Sequence, residues 1–189
     1  MEDRWSDKKG DQKVCPARSR PDGAAHLLFW SLAAGGAGID LWSKYSLFSY
    51  LAGRPFRQME LVKGFVNLIR VENSGAAFSI ARGQRELLIW ISIAAMVVVA
   101  VMFLIGVAHR RLSQAGLGLM TAGIAGNLYD RLFNDGYVRD FIDVYVGSYH
   151  WPTFNAADSF LCVGVGLLML ANFTSGAGQK QRKPQTAER

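Results

Sequence analysis

The sequence is poor in the side chains on which most soluble enzyme chemistry relies. It has 2 cysteines in 189 residues, Cys15 in the N-terminal region and Cys162 in a long apolar stretch. That placement gives no disulfide framework and no metal-ligand spacing. Cys15 follows Asp-Gln-Lys-Val, which is not apolar and so does not look like a lipid-attachment site. The 3 histidines, His26, His109 and His150, lie in different segments. No His-Glu-x-x-His pattern exists, which argues against a zinc protease. No serine has a histidine partner at the same depth, which disfavours a serine nucleophile. The Asp-Thr-Gly of soluble aspartic proteases and the Gly-x-Gly-Asp of presenilin-like proteases are both absent.

Charge is missing over long distances as well. Gly23–Ile39, Leu87–Ala108, Leu112–Tyr129 and Ser159–Gln179 contain no Asp, Glu, Lys or Arg, over 17, 22, 18 and 21 residues. A bilayer core takes roughly 20 residues of helix. A soluble fold in so short a chain has too little polar surface to cover four such helices. The expected class is therefore a mainly α membrane protein, a four-transmembrane-helix bundle. The first stretch does not read as a cleaved leader. The segment before it is long and mixed in charge, and it runs directly into Asp40-Leu-Trp-Ser-Lys44 with no small-residue cleavage pattern.

The net charge of +6 needs no nucleic acid to explain it. Membrane proteins collect Lys and Arg on the cytoplasmic side. The short link His109-Arg110-Arg111 and the C-terminal Lys180, Arg182, Lys183 and Arg189 favour both termini inside. Residues 1–22 are polar and charged and predict a disordered cytoplasmic tail. The membrane domain is expected over 23–174, with a second tail at 175–189. Span one is expected to end near Trp42. Outer segments are expected at about 45–86 and 131–155. In the first of these, Phe65-Val-Asn-Leu-Ile-Arg-Val partly alternates and suggests a strand. Asn73-Ser-Gly75 reads as a turn, and Ala76-Ala-Phe-Ser-Ile80 as a returning strand.

Ionisable groups near hydrocarbon are costly and need a reason. Every candidate here lies at the outer end of a span or in an outer loop. Asp40 and Lys44, four apart, share a helix face and read as an ion pair fixing the end of span one. Asn127, Asp130 and Arg131 form a polar face at the end of span three. It either glues helices together or offers Asn and Arg to a substrate backbone, with Asp130 holding Arg131. Asp140 lies in Tyr137-Val-Arg-Asp-Phe-Ile-Asp-Val. In an extended chain it shares a face with Val138, Ile142 and Val144, where desolvation raises its pKa and suits it to acid–base work. Asp143 then falls on the opposite face and reads as solvated. Asn155 and Asp158 open span four, where capping competes with catalysis as the explanation. Pairing shifts the balance. A short connection joins Asp140 to Asp158, and span four starts where span three ends. Both carboxylates can meet at one membrane surface and share a proton. The ionised one takes a proton from water while the other polarises a carbonyl.

These residues resemble signal peptidase II, the lipoprotein signal peptidases. Five blocks match in the family's order: Asp40-Leu-Trp-Ser-Lys44, Asn73-Ser-Gly-Ala-Ala-Phe78, Gly126-Asn-Leu-Tyr-Asp-Arg131, Val138-Arg-Asp-Phe-Ile142 and Phe154-Asn-Ala-Ala-Asp158. The resemblance covers roughly 24–172 and departs mainly in the longer N-terminal tail. It implies a bacterial inner-membrane aspartyl endopeptidase whose substrates are diacylglyceryl-modified prolipoproteins, cut just before the lipidated cysteine. It also implies a catalytic dyad at Asp140 and Asp158, and substrate positioning by Asn73, Asn127, Arg131 and Asn155. Asp40, Lys44, Gly75 and Asp130 fall in the same blocks as structural support. A small extracytoplasmic sheet and loop would lie over the site. The expected partners are prolipoproteins, membrane lipids and globomycin-type inhibitors, acting on a monomer that needs no metal or organic cofactor. Two other classes compete. A proton-coupled carrier places its acids near the midplane, and a membrane scaffold uses polar faces only to bind helices.

Overall fold

In the computed structural model residues 20–75 and 83–180 are described. The expected returning strand at Ala76–Ile80 and most of the two tails lie outside them. Four long helices carry the chain: α1 (Gly23–Ala52), α2 (Arg85–Leu104), α3 (Arg111–Phe133) and α4 (Ala156–Lys180). Four strands form the remainder: β1 (Gln58–Val62), β2 (Val66–Asn73), β3 (Val138–Val146) and β4 (Tyr149–His150).

Helix α1 is longer than expected. It runs past Trp42 to Ala52, because no breaker interrupts it before Gly53 and Pro55. Asp40 and Lys44 therefore sit inside the helix rather than at its end. Helix α2 ends early, at Leu104, and Gly106 turns the chain at φ +70°. Helix α4 continues through Lys180, past the expected start of the tail.

By length and composition, α1, α2 and α4 are apolar enough to cross a membrane. Helix α3 is as long as the others but far less apolar, for a structural reason. It packs against α1, α2 and α4, so protein rather than lipid covers most of its surface. Its glycines permit that approach. A Cβ at Gly116 would sit 2.8 Å from the Gly164 carbonyl on α4, and one at Gly118 would sit 2.9 Å from the Phe29 carbonyl on α1. The faces turned away from α3 carry large exposed apolar side chains, among them Leu27, Trp90, Val97, Val98 and Phe173. Such continuous apolar exposure marks a membrane surface.

Phe29 on α1 and Phe103 on α2 stack at 4.0 Å within the core at one end of the bundle. A second apolar cluster, Phe48, Leu51, Leu68 and Phe141, fastens the sheet to the last turns of α1. The sheet is antiparallel, in the order β1-β2-β3-β4. The strand expected over 65–71 is β2. Its neighbours are β1 and β3, paired through Val71 with Asp140 and Asn73 with Val138. An extra residue in β2 between Leu68 and Val71 shifts the register. Beyond β4 the chain returns along β3 as far as a bridge between Phe154 and Ile142. Two residues later α4 begins.

Candidate active site

All the polar residues singled out from the sequence gather at the end of the bundle that carries the sheet. They come from five places: the fifth and sixth turns of α1, the last two turns of α3, the end of β2, the start of β3, and the first turn of α4.

Asn155 stands at the junction and is fully buried. Its side-chain carbonyl accepts the Asp158 N–H at 3.1 Å, and Asp158 Oδ2 accepts the Asn155 N–H at 3.1 Å. This reciprocal capping box starts α4. With its carbonyl engaged there, the Asn155 amide donates to Asp140 Oδ1 at 2.7 Å and to Asn127 Oδ1 at 3.2 Å. One side chain thus touches both expected catalytic segments. Capping and acid placement are not alternatives here, because the cap fixes the orientation of Asp158.

Asp140 is buried at 1 % exposure. Its second oxygen accepts from Asn73 Nδ2 at 3.0 Å. Burial pushes its carboxyl up to about 6. The Asn73 hydrogen bond opposes that rise, and the nearby Asp158 charge adds to it. Phe141, on the other side of the strand, sits in the apolar cluster against α1. That anchor turns Asp140 towards Asn155. Asp158 Oδ1 accepts from Asn127 Nδ2 at 2.9 Å.

The orientation of Asn127 is set by Lys44. The ammonium can only donate, and it meets Asn127 Oδ1 at 3.0 Å. The amide nitrogen must then face Asp158. Lys44 also contacts Asp40 at 2.7 Å and Asp130 at 3.2 Å, and all three side chains have no solvent exposure. The other oxygen of Asp40 accepts the Ala157 N–H at 2.8 Å, which ties α1 to the first turn of α4.

Two readings from the sequence need correction. Asp130 does not hold Arg131. Adjacent helix positions point about 100° apart, and Asp130 pairs with Lys44 and with Arg139 (3.3 Å), whose backbone N–H it also accepts at 2.9 Å. Arg131 instead donates to the Gly75 carbonyl at 3.2 Å and the Asn127 carbonyl at 3.3 Å. Its buried Nε has no partner among the described residues. Gly75 is held in turn by Asn73 Oδ1, which accepts its N–H at 2.9 Å and closes the expected turn. Asp143 is not solvated. It is buried at 4 % exposure, because Asn67 and His150 cover it from both neighbouring strands.

Sequence reasoning missed Arg139. It lies beside Asp140 but turns to the opposite face, and no spacing rule links it to Asp130 across the α3–β3 turn. With it, Asp40 and Asp130 are matched by Lys44 and Arg139. Among the described residues, no group of three or more His, Cys, Asp and Glu side chains is placed to hold a metal ion. The chemistry on offer is two carboxyls linked through Asn155, whose side-chain amide donates to Asp140 and whose backbone N–H donates to Asp158, with further amide donors and one guanidinium around them.

Residues 32–174 match the family model for signal peptidase (SPase) II. The lipoprotein signal peptidase of Photorhabdus laumondii is 39% identical over 141 residues, covering 72% of this chain and 82% of that one. The lipoprotein signal peptidase of Serratia proteamaculans is 41% identical over 120 residues, covering 61% and 70%. Among solved structures, a bacterial membrane enzyme determined by the in meso method at 2.3 Å superposes with a TM-score of 0.73. It has 27% identity over 89% of this chain and 99% of that one.

Proposed function

Because this multi-pass membrane chain belongs to the signal peptidase II family of proteases, we propose that it removes signal peptides from diacylglyceryl-modified prolipoproteins with Asp140 and Asp158 as its catalytic dyad. The observation that carries this reading is Asn155, which bonds to both carboxylates at once. The membrane is crossed by all four helices. Both termini lie in the cytoplasm, and the site lies at the outer face of the bacterial inner membrane.

The reaction follows from two neighbouring acids sharing one proton. The protonated carboxyl donates to the scissile carbonyl oxygen, and the ionised one takes a proton as water adds to the carbonyl carbon. The tetrahedral intermediate collapses with transfer of a proton to the departing nitrogen. The products are the carboxylate of the signal peptide and the free amine of the lipidated cysteine. The elevated pKa of Asp140 suits it to hold a proton near neutral pH. Arg131 and Asn73, fixed by Gly75 and the turn, supply donors for a peptide backbone and the developing oxyanion.

The bilayer explains the substrate class. The acyl chains stay in lipid while the amide to be cut rests where the bundle meets the sheet. A proton-coupled carrier fits less well, because these acids collect at one end of the bundle rather than at its midplane.

The test is cleavage of a lipidated precursor peptide by the purified chain in detergent. Asp140→Asn and Asp158→Asn, folded, should each lose at least about 1,000-fold in kcat, on the scale of removing a residue from a catalytic unit. Globomycin should block the parent, and a precursor without the diacylglyceryl group should be cut poorly. Either asparagine variant cleaving at the parent rate rejects the dyad.

A further inference from the structure

The connection from Asp140 to Asp158 has its own fastening, outside the residues assigned above. After β3 the chain reverses at Gly147, where φ is +60°, forms β4, and returns to Phe154 and Asn155. Backbone bonds hold it at Trp151 N to the Val144 carbonyl, 2.8 Å, and at Phe154 N to the Ile142 carbonyl, 3.1 Å. Side chains also link the two arms of the hairpin. His150 Nδ1 meets Asp143 Oδ1 at 2.8 Å, and the imidazole stacks on Tyr145 at 5.1 Å. The second Asp143 oxygen accepts from Asn67 Nδ2 on β2 at 3.1 Å.

A buried carboxylate leaves a donor position costly to vacate. Asp143 is therefore a fixed point, three residues from Asp140 on the same strand. His150, on the exposed strand β4, is held to it. Four residues separate His150 from Asn155, the residue that touches both catalytic carboxyls.

We infer that Asp143 and His150 are positioning residues for the reaction, pinning the returning segment so that Asn155 holds Asp158 in register with Asp140. This rests on the dyad reading. Alignment of the dyad matters in the transition state, whereas peptide binding depends on Asn73, Arg131 and the membrane. Loosening the link should therefore lower kcat and spare KM. Misplacements near 1 Å cost up to about 100-fold, and a hairpin still held by backbone bonds should lose less, about tenfold.

The experiment measures kcat and KM on the lipidated precursor for three variants. His150→Phe keeps the ring stack on Tyr145 but loses the hydrogen bond. His150→Asn places an amide nitrogen near the Nδ1 position. Asn67→Ser removes the other donor to Asp143 and leaves the returning segment tied. The expected result is a kcat about tenfold lower for His150→Phe with KM within about twofold, rescue by His150→Asn, and near-parent kcat for Asn67→Ser. A parent-like kcat in His150→Phe overturns the inference. So do equal losses in His150→Phe and Asn67→Ser, which report general loosening of the sheet. A parent that leaves the precursor intact removes the dyad reading and this inference together. A parent that cleaves beside an unaffected His150→Phe removes this inference alone.

Discussion

Replacing Lys44 by methionine keeps the length of the side chain and deletes its charge. In the parent, the ammonium lies 2.7 Å from Asp40 and 3.2 Å from Asp130, with all three side chains out of solvent. At an effective dielectric of about 20 each contact is worth roughly 5–6 kcal/mol before desolvation is counted. Most of that is offset by the cost of stripping water from the ions. What remains on removing one partner of a buried pair is about 3–5 kcal/mol, because a charge is left without compensation. The loss falls on Asp40 in particular, since Asp130 keeps Arg139. At about 2–4 °C per kcal/mol for a chain of this size, Lys44→Met should lower the unfolding midpoint in detergent by about 10 °C. Adding Asp40→Asn should recover most of it, because the orphaned charge is gone and an amide oxygen still accepts the Ala157 N–H. Activity should not recover with stability. Without Lys44, the Asn127 carbonyl keeps only the 3.2 Å bond from the Asn155 amide, and its amide nitrogen is held less firmly towards Asp158. Thermal unfolding and precursor cleavage on both variants and the parent make the comparison. A Lys44→Met protein within about 3 °C of the parent, or a double variant that regains both stability and rate, refutes the reasoning.

Three further outcomes are expected. Asp140 has a pKa raised to about 6 by burial, so it is protonated below that value and ionised above it. A dyad that needs one shared proton should show kcat/KM falling as pH rises through about 6, and a profile flat from pH 5 to 8 contradicts this. Asn155→Ser keeps a good helix cap but loses the amide that reaches Asp140 and Asn127. Leaving the buried Asp140 without that donor costs about 1–3 kcal/mol, so the unfolding midpoint should fall by no more than about 10 °C while kcat of the folded protein drops about 100-fold; loss of stability with an unchanged rate in the folded fraction speaks for capping alone. Gly126→Ala places a methyl group onto Asp40 Oδ2. It should destabilise the protein by about 1–3 kcal/mol and lower activity, both read on the purified variant, whereas Gly166→Ala, with open space around its Cα, should change neither.

What the sequence discloses about this molecule depends on the range of the interaction involved. All four helices announce themselves as long stretches without charge. The strand before Asn73 and the cap at Asn155 are likewise local patterns, readable within one turn or one alternation. The position of helix α3 is legible in the same way, but its place at the centre of the bundle is not. Its glycines are chosen for backbone approach to α1 and α4, so its composition records neighbours rather than lipid. Within the site the same division holds. Asp40 and Lys44 pair at a spacing any helix provides. The partners of Asp130, Lys44 and Arg139, come from another helix and from beyond a turn, and only the packing brings them together. Asp143 shows how a local rule misleads. Alternation along β3 correctly puts it opposite Asp140, but whether that face meets water is decided by Asn67 and His150, donated by the strands on either side. A carboxylate can be buried on either face of a strand once neighbouring strands supply its donors. In a sheet this small, each residue that looks solvated by alternation therefore has to be checked against the two strands beside it before it is dismissed from the chemistry.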